Sequence, residues 1–156
     1  MTDSSGSGRP AIDGQRLWAG GAATALVAAL IAVAGVIISR GLFDIAVLAP
    51  EGEGLWGDAT TWWYAAVAGL SALLATGLAH LLLMTTPQPL QFFGWVIGLL
   101  TLIGVVAPFT SDSSLAAESA TGLINLVLGI AIGSLVSSIA NTSRRQDRRP
   151  RDQGSF

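Results

Sequence analysis

The hydrophobic residues of this chain fall into four long blocks. They run from about Leu17 to Ser39, from Thr61 to Met84, from Leu90 or Phe92 to Phe109, and from about Ser119 to Ala140. None contains Asp, Glu, Lys or Arg. Each is long enough to cross about 30 Å of hydrocarbon at about 1.5 Å of helical rise per residue. Between them lie segments that water accepts: the Gly/Ser-rich start Thr2–Arg16, the long loop Arg40–Thr60, the turn Thr85–Gln91, the loop Thr110–Glu118 and the tail Asn141–Phe156. Backbone in lipid must satisfy its own hydrogen bonds, so the pattern predicts an all-α integral membrane protein, a four-transmembrane-helix up-down bundle. The expected division is a disordered stretch over 1–16, the membrane domain over 17–140 and a disordered, Arg-rich tail over 141–156.

Arg9 and Arg16 before the first block imitate the basic start of a signal peptide. The block itself is about 22 residues long, against about 7–15 for a signal sequence's apolar region. No clear Ala-x-Ala site precedes a polar mature start, so a retained helix is expected, with a three-span chain as the lesser alternative.

Composition supports the membrane reading. Of the residues, 51% are hydrophobic and 12% charged, against about 25% charged in an average soluble domain. This argues against a soluble globular domain, a disordered chain and a nucleic-acid binder. With no cysteine, disulfides, thiolate metal sites, iron–sulfur clusters and thiol nucleophiles are excluded. The single histidine is too few for bis-histidine haem, and no cofactor is expected.

Lysine is absent, so all 8 basic residues are arginines. Arg9 and Arg16 precede the first block, and Arg144, Arg145, Arg148, Arg149 and Arg151 follow the fourth. The turn between the second and third carries no charge. The other two loops hold Arg40 and the acids Asp44, Glu51, Glu53, Asp58, Asp112 and Glu118. The positive-inside rule then makes the side shared by both termini cytoplasmic. The aromatic residues mark the same boundaries. Trp18, Phe92, Phe93 and Trp95 fall at the inner ends, and Trp62, Trp63, Tyr64 and Phe109 at the outer ends, where amphipathic rings anchor helices at headgroup depth.

Membrane helices associate through small residues that let backbones approach. Gly21, Ala25 and Ala29 repeat every four residues in the first block, and Ala68, Ala72, Thr76 and His80 do so in the second. The third holds Gly94-x3-Gly98 and the fourth Gly129-x3-Gly133. The plain expectation is one close-packing stripe per helix, all used inside the bundle. The sharper one is that a glycine face is kept for a homo-oligomer or a membrane-protein partner. Pro87 and Pro89 stiffen the turn between the second and third blocks. Pro108 breaks the third near its outer end, where water is expected to take the freed carbonyl.

Ionisable residues within the membrane are the first place to look for function, and His80 is the only one. It lies near the inner end of the second block, with Thr24, Ser134, Ser137 and Ser138 at similar depth as candidate acceptors for its ring proton. Histidine changes charge near physiological pH, which suits a relay or a sensor. A relay normally needs a second titratable group, so a satisfied interfacial histidine is the plainer reading. Asn125 lies too far above His80 to pair with it and is expected to hydrogen-bond a neighbouring helix. Arg40 and Asp44 would form an i, i+4 pair if the first helix continued through Phe43, in the less favourable order. Residues 41–48 are apolar enough either to extend the helix or to lie in the interface. Asp44, Glu51, Glu53 and Asp58 lack calcium-loop spacing and read as a solvated acidic loop. The arginine tail fixes topology and offers a docking point for a cytoplasmic partner.

There is no phosphate-binding glycine loop, no serine with a base beside it and no carboxylate in a span for proton coupling. The chain is therefore expected not to be an enzyme. The Ala-rich first span, the loop with Pro50, the turn before Phe92-Phe93-Gly94-Trp95, the Val-Ala-Pro108 end and the run Gly122-Leu-Ile-Asn125-Leu-Val-Leu-Gly129 resemble a family of small four-span actinobacterial membrane proteins of unknown function. The lack of lysine suits a GC-rich genome. The resemblance implies a fold and a multi-pass location in a bacterial plasma (inner) membrane, and no activity. Two functions follow as expectations: an accessory or assembly partner acting through its packing faces and tail, or a small oligomeric channel or transporter using the His80–Thr76–Thr24 region as its polar path.

Overall fold

A computed structural model describes residues 14–45, 47–49, 57–58, 61–110 and 112–145. Four helices make up nearly all of it: α1 (Gly14–Leu42), α2 (Thr61–Thr85), α3 (Pro89–Val106, continued by a 3₁₀ turn Ala107–Thr110) and α4 (Leu115–Arg145). All four are long and apolar enough to span a membrane, as the four blocks predict. Each neighbour runs antiparallel to the last, so Gly14 and Arg145 share one end of the bundle, here called the terminal end. The opposite, loop end holds the chain after α1 and the turn between α3 and α4.

Local chemistry sets the helix ends. Ser114 caps α4 by accepting the Ala117 N–H on its Oγ at 3.3 Å, while its carbonyl accepts the Glu118 N–H at 3.1 Å, the arrangement that serine favours at a helix start. Pro89 opens α3 at a position where a missing N–H costs nothing. α1 stops at Leu42 because Asp44 turns to φ 53°, a left-handed conformation that Asp adopts more readily than most residues. The Ile45 N–H then returns to the Ser39 carbonyl at 2.8 Å.

α1 packs against α2 and α4, and α3 packs against α4 and, less closely, against α2. The α1–α2 seam is made of small residues, with Ala28, Ala32, Ala68 and Ala72 all buried. A Cβ placed on Gly21 would stand 2.5 Å from the Thr76 methyl, so only glycine permits this approach. At the α3–α4 seam, a Cβ on Gly129 would collide with the Thr101 side chain. The stripes Gly21/Ala25/Ala29, Ala68/Ala72/Thr76 and Gly129/Gly133 are thus spent inside the bundle.

α3 departs from the expectation of one internal stripe per helix. Cβ atoms on Gly94 and Gly98 would meet nothing within 4 Å. Their face points outward, on the helix with the smallest buried share of the four. The motif states that a backbone can be approached and leaves open by which helix.

Of residues 41–48, Gly41 and Leu42 extend α1, and the described residues that follow turn back onto the bundle. Phe43 is exposed, but Val47 and Leu48 are buried on the bundle. Leu48–Ala49 pairs antiparallel with Gly57–Asp58, and the Leu48 N–H donates to Thr121 Oγ1 on α4 at 3.0 Å. Glu118, expected in a watered loop, sits in the first turn of α4 and is only 5% exposed. There its charge complements the positive helix end. α4 continues past Ala140 through Arg145.

Candidate functional site

Of the polar residues singled out by the sequence, Asn125 lies toward the loop end of the bundle, and Thr24, Thr76 and His80 lie toward the terminal end. Near the loop end, three helices meet at Asn125 of α4. Its Nδ2 donates to the Gly104 carbonyl of α3 at 2.7 Å, and its Oδ1 accepts from the Tyr64 hydroxyl of α2. The amide orientation follows from chemistry: the carbonyl can only accept, so nitrogen must face it, and Tyr64 must then donate. The Gly104 carbonyl is available because its helical partner four residues on is Pro108, which has no N–H. Sequence reading expected water there; the side chain of Asn125 takes that place. The expectation that Asn125 bonds a neighbouring helix holds for two helices at once.

Below this clasp, α2 and α3 part to leave a cleft of about 240 Å³ floored by α4. Ala68, Ser71 and Ala75 line one wall, Ile97 and Thr101 the other, and Leu128 and Ile132 the floor. Its hydroxyls are already engaged. Ser71 donates to the Val67 carbonyl at 2.8 Å and Thr101 to the Ile97 carbonyl at 2.7 Å. No pattern in the sequence announces this cleft, because it is made by what the small side chains of two separate helices fail to fill.

At the terminal end the expected polar path does not assemble. Thr24 and Thr76 are buried at 2% and 1% exposure, and each donates to its own helix, Thr24 to the Gly20 carbonyl and Thr76 to the Ala72 carbonyl, both at 2.9 Å. His80 is partly buried beside the start of α1, where a Cβ on Gly14 would lie 3.7 Å from its Cε1. Its Nδ1 is buried and meets no hydrogen-bond partner among the described residues. Nδ1 thus reaches none of the serine and threonine acceptors expected for it among those residues, and the Ser134 hydroxyl donates to the Ala131 carbonyl at 3.1 Å.

Arg40 lies in the last turn of α1, where a cation suits the negative helix end. Asp44 has left the helix at φ 53°, so the helical spacing required for an Arg40–Asp44 pair is lost. Glu51 and Glu53 of the acidic loop, Pro50, Arg9, and Arg148, Arg149 and Arg151 of the tail lie outside the described residues. Among the described residues, no three His, Asp or Glu side chains come together in a group able to hold a metal ion.

Residues 12–142 match a family of unknown function, DUF6069, and the chain belongs to that family. No curated protein and no solved structure matches it.

Proposed function

We propose that this member of DUF6069 is a non-enzymatic, multi-pass plasma-membrane protein that serves as an accessory or assembly partner for another membrane protein. The observation that carries this reading is the outward face of α3, where Gly94 and Gly98 have open space around them. Glycines four residues apart on a lipid-facing helix form a shallow groove into which a second helix can settle closely. The same spacing at Gly129 and Gly133 is already filled, by Thr101 and Ile97. Both termini belong in the cytoplasm on this reading, because 7 of the 8 arginines flank the terminal end. The channel reading draws less support, since the Thr24 and Thr76 hydroxyls it would use are buried and turned onto their own helices.

Affinity purification from native membranes in mild detergent, followed by mass spectrometry and native mass measurement, tests the proposal. A stoichiometric second membrane protein is expected with the wild type and should be lost with Gly94→Leu/Gly98→Leu. A clean monomer with no partner would overturn the proposal. A homo-oligomer alone would move the weight to the channel and call for flux assays on His80 and Asn125 variants.

A further inference from the structure

The cleft between α2 and α3 invites an occupant, and its position and chemistry specify one. We infer that it holds one acyl chain of a phospholipid from the leaflet at the loop end. Its mouth lies between two membrane-spanning helices, with Val67 40% and Leu100 57% exposed on the rim, so what reaches it comes from the hydrocarbon. From Tyr64 to Ala75 the cleft runs about 16 Å along α2 at helical rise, close to half of the roughly 30 Å hydrocarbon thickness. It therefore has the length of one leaflet. Its upper end, at Tyr64 and Asn125, lies directly below the exposed rings of Trp62, Trp63 and Phe109, where a headgroup belongs.

Water is the poorer occupant. A buried water needs two to four polar partners, and the Ser71, Thr101 and Tyr64 hydroxyls already donate within the protein, so in this mainly apolar cleft they offer a water only acceptor lone pairs. Leaving the cleft empty would forfeit dispersion contacts along its walls, and a flexible methylene chain restores them without requiring a hydrogen bond. Ser71, an exposed small residue on the stretch of α2 against which α3 does not close, is then covered by the chain instead of by a neighbouring helix.

The test uses the full chain in phosphatidylethanolamine–phosphatidylglycerol vesicles containing a trace phospholipid with a photoactivatable diazirine in mid-chain. After illumination, peptide mapping should find adducts on the floor residues Leu128 and Ile132, each only 7% exposed, as well as on lipid-facing Leu26 and Ile130. Ala75→Phe, which fills the cleft, and Ser71→Phe, which blocks its rim, should abolish the floor adducts and keep the lipid-facing ones. Ser71 is exposed, so its variant serves even if Ala75→Phe fails to fold. Absence of floor adducts in the wild type would overturn the inference. So would floor adducts that persist in Ser71→Phe. Floor residues found instead in contact with a second copy of the chain would assign the cleft to an oligomer and overturn it equally.

Discussion

The Asn125 amide stands 2.7 Å from the carbonyl of Gly104, the acceptor that Pro108 leaves without its helical donor. One side chain thereby repairs the backbone defect of a neighbouring helix and, through Tyr64, ties in a third. Asn125→Leu should strand that carbonyl and the Tyr64 hydroxyl, at a cost of about 1–2 kcal/mol. The cost should shrink in a Pro108→Ala background, because the new N–H can satisfy Gly104 from within α3. Unfolding midpoints in mild detergent for the two single variants and the double variant give the coupling. Strictly additive costs would mean that the proline and the asparagine act independently.

The glycines should divide sharply. Gly129→Val would drive two methyl groups into Thr101 and Gly21→Val into Thr76, and overpacking of this kind costs about 1–3 kcal/mol. Gly98→Ala meets open space and should be neutral, or stabilising by about 0.5–1 kcal/mol through reduced backbone freedom. The same detergent unfolding assay separates the two classes. Equal destabilisation at Gly98 and Gly129 would place a neighbour on the outward face of α3.

The four spans were legible in the sequence because lipid imposes a simple demand, a charge-free block of about 20 residues. The buried Ala68–Ala72–Thr76 stripe was legible because helical periodicity places every fourth residue on one face. What stayed hidden depends on register between helices. That Asn125 lies beside the carbonyl freed by Pro108 depends on how α4 slides along α3, and neither local pattern contains that offset. Gly94-x3-Gly98 and Gly129-x3-Gly133 read alike, yet one packs and one does not. Glu118 reads as watered because it is charged, yet its place in the first turn of α4 buries it. Val47 and Leu48 read as interfacial because a loop's apolar residues do not announce which surface they will cover.

One buried hydroxyl ties Leu48, in the loop after α1, to α4. Thr121 is fully buried, accepts the Leu48 N–H at 3.0 Å and donates to the Ala117 carbonyl at 2.8 Å. Thr121→Val keeps the shape and removes the acceptor. It should cost about 1–3 kcal/mol through the unsatisfied N–H, spent mainly on releasing the loop. Amide hydrogen exchange at Leu48 should therefore accelerate in Thr121→Val while exchange in the middle of α2 and α4 stays unchanged. Unaltered protection at Leu48 would mean that Val47 and Leu48 are held by apolar contact alone.

His80 gives the most direct separation of the accessory and channel readings. Among the described residues its buried Nδ1 meets no hydrogen-bond partner, a condition that costs about 1–3 kcal/mol for a polar group out of water. If the residue only fills space beside Gly14 and below Thr76, His80→Leu removes that cost. The bundle should then hold or gain stability in detergent, and partner recovery from native membranes should be unchanged. If His80 instead serves transport, its ring is the group that the channel reading requires. His80→Leu would then abolish flux in proteoliposomes while leaving the fold intact. Stability and flux measured on the same variant thus distinguish a histidine kept for packing from one kept for transport.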